Sequence, residues 1–433
     1  MNREPRRRRV RWSIFACLFG FAFLGYMQRT GIAIAAEPMM LEFGLTQVML
    51  GWLLTVFLVG YTVCQIPGAA LGEFLGPRKT LTAIGVATIV ATAVTALVPR
   101  LLSMTAVMAL LIAARLLLGV AQAALFPVAS GAIRNWFPVR SWGFAQGLLV
   151  TGIWLGSAVT PPLVSALVLG FGWRVALVAA CVPSLILVVW WQRDARDYPA
   201  QHRAVGSQEL AELSSEGTSR FEERVSLARI ARVLVDRKIL IVTASYFLSN
   251  YVFYLVTFWS FLYLRQERQM TVLESGWLAS LPFLTAALAS AAGGHLSDRL
   301  IARFGTRWGA RTLPLLALPC AGLFLWLTGI AGDAYLAVAA LCLAFGCCEI
   351  TEGPFWSVTM RLAPADSMAA TSVLNTGGNL GGVVATPAIA ALSAHHHWHA
   401  VFAIGALASL AAAGLWFWVD IAQPAARRQE VLA

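Results

Sequence analysis

The chain has 433 residues, 59% of them hydrophobic and only 12% charged, against about 25% charged in an ordinary soluble domain. That composition excludes a water-solvated enzyme core and fits a protein solvated by lipid. The net charge of +11 would suit a nucleic-acid partner, but the placement of the basic residues accounts for it without one.

The Arg-rich start leads into an apolar stretch too long for the core of a signal peptide, so it reads as a first membrane span. At about 20 apolar residues per crossing, twelve spans are expected: 12–36, 48–72, 80–98, 103–131, 142–170, 173–191, 239–264, 272–297, 312–330, 335–361, 367–393 and 400–420. The seven Cys lie within these runs and read as free thiols, with no disulfide framework and no metal spacing.

With the N-terminus inside, the cytoplasmic side receives the basic residues of 1–11, then Arg78 and Lys79, Arg134 and Arg140, Arg299, Arg303, Arg307 and Arg311, Arg361, and Arg427 and Arg428. The other side receives only Arg100, Arg174, Arg265 and Arg268. This asymmetry orients the chain, with both termini cytoplasmic.

The expected organisation is therefore a basic N-terminus (1–11), six spans (12–191), a cytoplasmic central loop (192–238), six more spans (239–421) and a cytoplasmic C-terminus (422–433). The loop begins as a Gly/Ser/Glu-rich linker, and 220–235 reads as a basic amphipathic helix on the inner membrane surface.

An internal repeat supports two related halves. After the second span come Gly68, Leu71, Glu73, Gly76, Arg78 and Lys79; after the eighth come Gly293, Leu296, Asp298, Arg299, Gly305 and Arg307. Parallel halves of this kind are a transporter architecture.

Chemistry concentrates in few positions. Arg29 is the only charge between Trp12 and Ala36, and Arg115 the only one in the fourth span. A guanidinium at membrane depth costs about 2.5–3.5 kcal/mol and marks a functional interior. Gln122 lies seven residues from Arg115, nearly two helical turns, so the two share a face. The acids are in the tenth span: Glu349 and Glu352, three residues apart and expected on neighbouring parts of one helix face, followed by Gly353 and Pro354, expected to form a bend. Asn375 and Asn379 share a face of the eleventh span and need polar partners. Tyr26, Asn250, Tyr251 and Tyr254 add hydrogen-bonding groups, although tyrosines also serve as interfacial anchors. His395, His396, His397 and His399 read as a solvated outer loop. Pro161–Pro162 is expected to bend or end the fifth span.

The paired Gly-x-x-x-x-Asp/Glu blocks with trailing basic residues resemble the signature loop of the major facilitator superfamily, over essentially the whole chain. The resemblance implies an all-α membrane protein with twelve transmembrane helices in two pseudo-symmetric six-helix bundles. It also implies a cytoplasmic latch built from Gly68, Glu73, Arg78, Asp298 and Arg299. Glu73 stands where Asp is usual, and Phe74 where Arg is common.

Within the superfamily, Tyr26-Met27-Gln28-Arg29, Arg115-Leu116-Leu117-Leu118-Gly119 with Gln122, and Gly378-Asn379-Leu380-Gly381-Gly382 resemble the anion:cation symporter family. Members commonly carry acids where this chain has Gln28 and Gln122, and glutamine does not titrate.

The expectation is a transporter importing an organic anion, a sugar acid or small carboxylate, coupled to protons. Arg29 and Arg115 would bind the carboxylate, and Tyr26, Gln122, Asn250, Tyr254, Asn375 and Asn379 would line the site. Glu352 and Glu349 would be proton-linked. It is read as a monomeric protein of a bacterial inner membrane, with no cofactor, metal or nucleic-acid partner. An exporter of amphipathic compounds and a non-transporting anion sensor are the alternatives.

Overall fold

The structure, a computed structural model, describes residues 10–138, 141–207, 209–210, 227–363 and 366–419. The arginines before Val10, Arg140, the loop residues 211–226, the tail after Val419 and the Asp298 side chain lie outside the described residues.

Regular structure among the described residues is helical throughout: α1 Val10–Phe43, α2 Gln47–Leu75, α3 Pro77–Leu97, α4 Met104–Ala123, α5 Leu125–Trp136, α6 Trp142–Phe171, α7 Trp173–Ala179 and α8 Cys181–Asp194, then α9 Leu227–Leu234, α10 Arg237–Gln266, α11 Val272–Ile330, α12 Ala334–Glu349, α13 Glu352–Leu362, α14 Ser367–Ser393 and α15 Trp398–Leu415. Eleven stretches are long and apolar enough to cross a membrane. A twelfth, α14, has 27 residues but carries Asn375, Asn379 and four glycines.

Helices dominate because a bilayer offers backbone N–H and C=O groups no partner outside the segment itself. The boundaries depart from expectation where glycine and proline act. The loop expected between the second and third spans shrinks to one residue, Gly76, at φ 82°. Its counterpart in the second half, Gly305 at φ 75°, is the only break in the 59-residue α11, so residues 298–304 and 307–311 are helical where a loop was expected. Both glycines occupy a left-handed conformation that a side chain disfavours. At Pro161–Pro162 the expected bend or end does not stop the helix, since α6 continues to Phe171.

The fourth and tenth spans are each interrupted. Ala124 separates α4 from α5, and Ile350 and Thr351 separate α12 from α13. Pro127 and Pro354 follow these interruptions and bring no N–H to the carbonyls of Ala123 and Ile350, a loss that Pro161 and Pro162 impose without ending α6.

Contacts divide the chain into two compact units, Met1–Leu45 with Val56–Glu223, and Thr46–Thr55 with Arg224–Ala433. In the first, Leu18, Phe21, Leu81, Ile84, Leu125, Ile133, Trp136 and Trp191 form the core. Near the end of α1, Glu42 accepts hydrogen bonds from Arg174, Arg100 (2.5 Å) and Trp173 Nε1 (2.7 Å), closing that end of the unit. In the second, Val242, Leu318, Phe355, Leu374 and Trp416 form the corresponding core. The basic stretch expected on the membrane surface is seen as α9 (Leu227–Leu234), where Val233 packs on Ile239, Ala369, Ala370 and Val373 and Arg232 pairs with Asp366 at 2.9 Å.

Candidate functional site

In the first unit, α1 is buried without interruption from Gly25 to Ala36. Arg29 is 3% exposed. Its guanidinium carbon lies 5.1 Å from the Tyr26 ring centre and 5.0 Å from those of Phe57 and Tyr61. Its Nη1 reaches Tyr26 Oη at 3.3 Å. Three cation–π contacts at about 0.5–2 kcal/mol each are together large enough to offset the insertion cost of about 2.5–3.5 kcal/mol. The in-plane N–H fork of a guanidinium is the part suited to a carboxylate.

Phe57 and Tyr61 were missed in the sequence. The available signal was two aromatics four residues apart, on one face of the second span. What brings them in is Gly119 of α4: a Cβ there would lie 2.1 Å from Phe57 O, so only glycine lets α2 and α4 close to this distance.

Arg115 is 1% exposed. Among the described residues no hydrogen bond or ion pair reaches it, and its Nε is buried without a partner. A buried ion is costly unless it is paired. The level of the two arginines follows from a contact between their helices. Gln122 Nε2 donates to Gly25 O at 3.1 Å. From there Arg29 is four residues along α1 and Arg115 seven residues back along the antiparallel α4, about 6 and 10 Å at 1.5 Å per residue. Both cations thus stand on the same side of that contact, separated axially by about one helical turn.

In the second unit the helix ends between the two acids, contrary to the shared helix face expected for Glu349 and Glu352. Glu349 closes α12 and Glu352 opens α13, with the turn at Ile350–Thr351 between them. The expected bend thus falls just before Gly353–Pro354. Glu352 now sits in the first turn of a helix, where the helix dipole favours a carboxylate. Its Oε1 accepts from Tyr246 Oη at 2.7 Å and Trp356 Nε1 at 2.8 Å. Tyr246 was not foreseen from sequence.

The amides and tyrosines of this unit form two hydrogen-bonded groups. Tyr254 Oη donates to Asn379 Oδ1 at 2.7 Å, Asn379 Nδ2 to Asn375 O at 2.8 Å, and Asn250 Nδ2 to Tyr246 O at 2.8 Å. Tyr254 and Tyr251 are buried, not at an interface. The glycines of α14 are the other half of the arrangement. A Cβ at Gly378 would lie 2.5 Å from the Tyr246 ring, and one at Gly382 2.2 Å from the Tyr254 ring. Side-chain-free positions on α14 are what allow the rings of α10 to lie against it.

Of the expected latch, Arg78 donates from its Nη2 to Gln192 O at 2.6 Å and from its backbone N to Asp197 Oδ1 at 2.7 Å. Glu73 and Arg299 are exposed. The loop glycines do something else. A Cβ on Gly68 would lie 2.9 Å from Ala124 Cβ, and one on Gly293 would lie 2.1 Å from Ile350 O. In each half, the first glycine of the repeated block packs on the interrupted turn of the fourth or tenth span.

The Major Facilitator Superfamily model matches residues 18–372. A probable sulfoacetate transporter, SauU, of Cupriavidus necator is 29% identical over 381 residues, covering 88% of this chain and 86% of that protein. A probable galactarate/D-glucarate transporter, GudP, of Bacillus subtilis is 27% identical, covering 88% of this chain and 85% of that protein. The D-galactonate transporter of Escherichia coli is 25% identical, with 88% of each chain covered. Among solved structures, an inward-facing, occupied bacterial homolog of the human lysosomal transporter Spinster superposes with a TM-score of 0.72 at 16% identity, over 95% of this chain and 97% of that one, a likeness of fold.

Proposed function

The chain belongs to the Major Facilitator Superfamily, and from that premise we propose that it is a secondary transporter importing a small organic anion with protons. The observation that carries this reading is Arg115, buried at 1% exposure with no counter-charge among the described residues. Arg29, set among three rings, supplies a second cation on α1. The similarity to carriers whose names specify sulfoacetate, glucarate and galactonate supports a carboxylate or sulfonate as the solute class. Tyr26 contributes a polar edge beside Arg29.

Import of a monoanion against an inside-negative potential costs about 2.3 kcal/mol per 100 mV. One proton per anion cancels that term. Gln28 and Gln122 cannot carry it, which leaves Glu349 and Glu352. Hydrogen bonds to an ionised carboxylate are roughly twice as strong as neutral ones. Protonation of Glu352 therefore loosens its hold on Tyr246 and Trp356 and frees the turn at Ile350–Thr351. Solute binding and proton exchange together drive alternating exposure to the two sides.

The test is uptake of labelled sugar acids and sulfoacetate into proteoliposomes, with and without an inward proton gradient. Uptake of none of these anions would reject the solute class. Uptake indifferent to the gradient would leave a facilitator.

A further inference from the structure

A cavity of about 20 Å³ lies inside the first unit, among α1, α3, α4 and α8. Its lining is apolar except for Gln28, Thr88, Gln122 and Ser184. We propose that this cavity is a binding site for one ordered water molecule, which ties α1, α3 and α4 together at Gln28, the residue before Arg29.

The bonding inventory specifies the ligand. Both glutamine nitrogens are engaged: Gln28 Nε2 donates to Ser184 Oγ at 3.2 Å and Gln122 Nε2 to Gly25 O at 3.1 Å. Ser184 Oγ in turn donates to Ala180 O at 2.9 Å. Among the described residues no donor reaches Gln28 Oε1 or Gln122 Oε1. Thr88 is 4% exposed and its hydroxyl is buried without a partner. Elsewhere on the same helix, Thr80, Thr82 and Thr95 each donate to the carbonyl four residues back. Neither Thr88 nor Thr92 makes that bond, and of the two only Thr88 lines the cavity.

Two acceptors and one donor are what a water molecule requires: its protons go to the two amide oxygens and its lone pair accepts from Thr88. Three bonds are typical of buried water, and about 10–15 Å³ suffices to hold one. A metal cation is poorly served, since calcium takes about 6–8 oxygens and no carboxylate lines this space. No titratable side chain lines it either, so occupancy is independent of pH. Gln28 directly precedes Arg29, so a water bridging α1 to α3 and α4 fixes the rotation of α1 that aims the guanidinium. Gln28, Gln122 and Thr88 acquire a joint positioning role that does not depend on which solute is carried.

The test is a double-mutant cycle in nanodiscs, read by thermal unfolding. Thr88→Val removes one bond to the water, Gln28→Met removes another together with the bond to Ser184 Oγ, and no bond joins Thr88 and Gln28 directly. The expected result is a Tm loss in the double variant clearly smaller than the sum of the two single losses. Additive losses would overturn the proposal. Thr88→Ser retains the donor and should behave as wild type; a loss equal to that of Thr88→Val would show that the threonine methyl matters instead, and would also overturn it. A density map that resolves waters should show a peak about 2.7–3.2 Å from Thr88 Oγ1 and both amide oxygens. A Tm that rises in sodium over choline would assign the cavity to a cation and reject water.

Discussion

Alanine at Gly293 and alanine at Gly294 should affect the protein in opposite directions, although the two positions are adjacent on one helix. A Cβ at Gly293 would lie 2.1 Å from Ile350 O and 2.8 Å from Ile350 C, while one at Gly294 meets nothing within 4 Å. Both substitutions gain about 0.8–1.0 kcal/mol of helix propensity. Only Gly293→Ala forces α11 away from the turn at Ile350, an overpacking worth about 1–3 kcal/mol. The propensity gain is common to both variants, so the difference between them isolates the clash. At about 2–4 °C per kcal/mol for a large domain, Gly293→Ala should unfold several degrees below Gly294→Ala in nanodiscs. It should also lose uptake, because the displaced turn carries Glu349 and Glu352. The first half offers a rescue: Gly68→Ala meets Ala124 Cβ at 2.9 Å, so Ala124→Gly should restore what Gly68→Ala removes. Equal behaviour of Gly293→Ala and Gly294→Ala, or no rescue at Gly68, would refute packing of the loop glycines on the helix breaks.

Other outcomes follow from the sites. Arg115→Met removes an unpaired buried charge, so it should raise the Tm of the ligand-free protein by an amount corresponding to about 1–3 kcal/mol while abolishing the Tm shift produced by the transported anion. Arg29→Lys keeps the charge but loses the fork, and should weaken uptake about tenfold or more, seen as a raised KM, since the substitution is not conservative at a bidentate, ring-stacked site. Glu352→Gln cannot exchange a proton, and should leave counterflow intact while uptake no longer responds to a pH gradient. Glu42→Gln loses charge-assisted bonds from Arg100 and Arg174, and should cost about 1.5–3 kcal/mol in thermal unfolding without changing solute preference.

The spans, the duplicated loop and the isolated arginines were legible in the residues themselves. A bilayer imposes a local rule, since about 20 apolar residues must satisfy their own backbone whatever surrounds them. Gly76 and Gly305 were visible as members of the repeated blocks, and their left-handed conformation came only with the structure. The candidate site was legible as a set of chemical groups and not as an arrangement. Phe57, Tyr61 and Tyr246 carry no charge and sit in no motif, and their roles come from close helix approaches at Gly119 and Gly378. Likewise, Asp197 stands 119 residues from Arg78 in the chain and meets it only after packing. Tertiary structure alone decided that Glu349 and Glu352 fall on either side of an interrupted turn, that Arg115 lacks a partner among the described residues while Arg29 lies among three rings, and that two glutamines share a cavity with Thr88. Those are properties of which helices lie side by side, and hydrophobic length constrains each helix without specifying its neighbours.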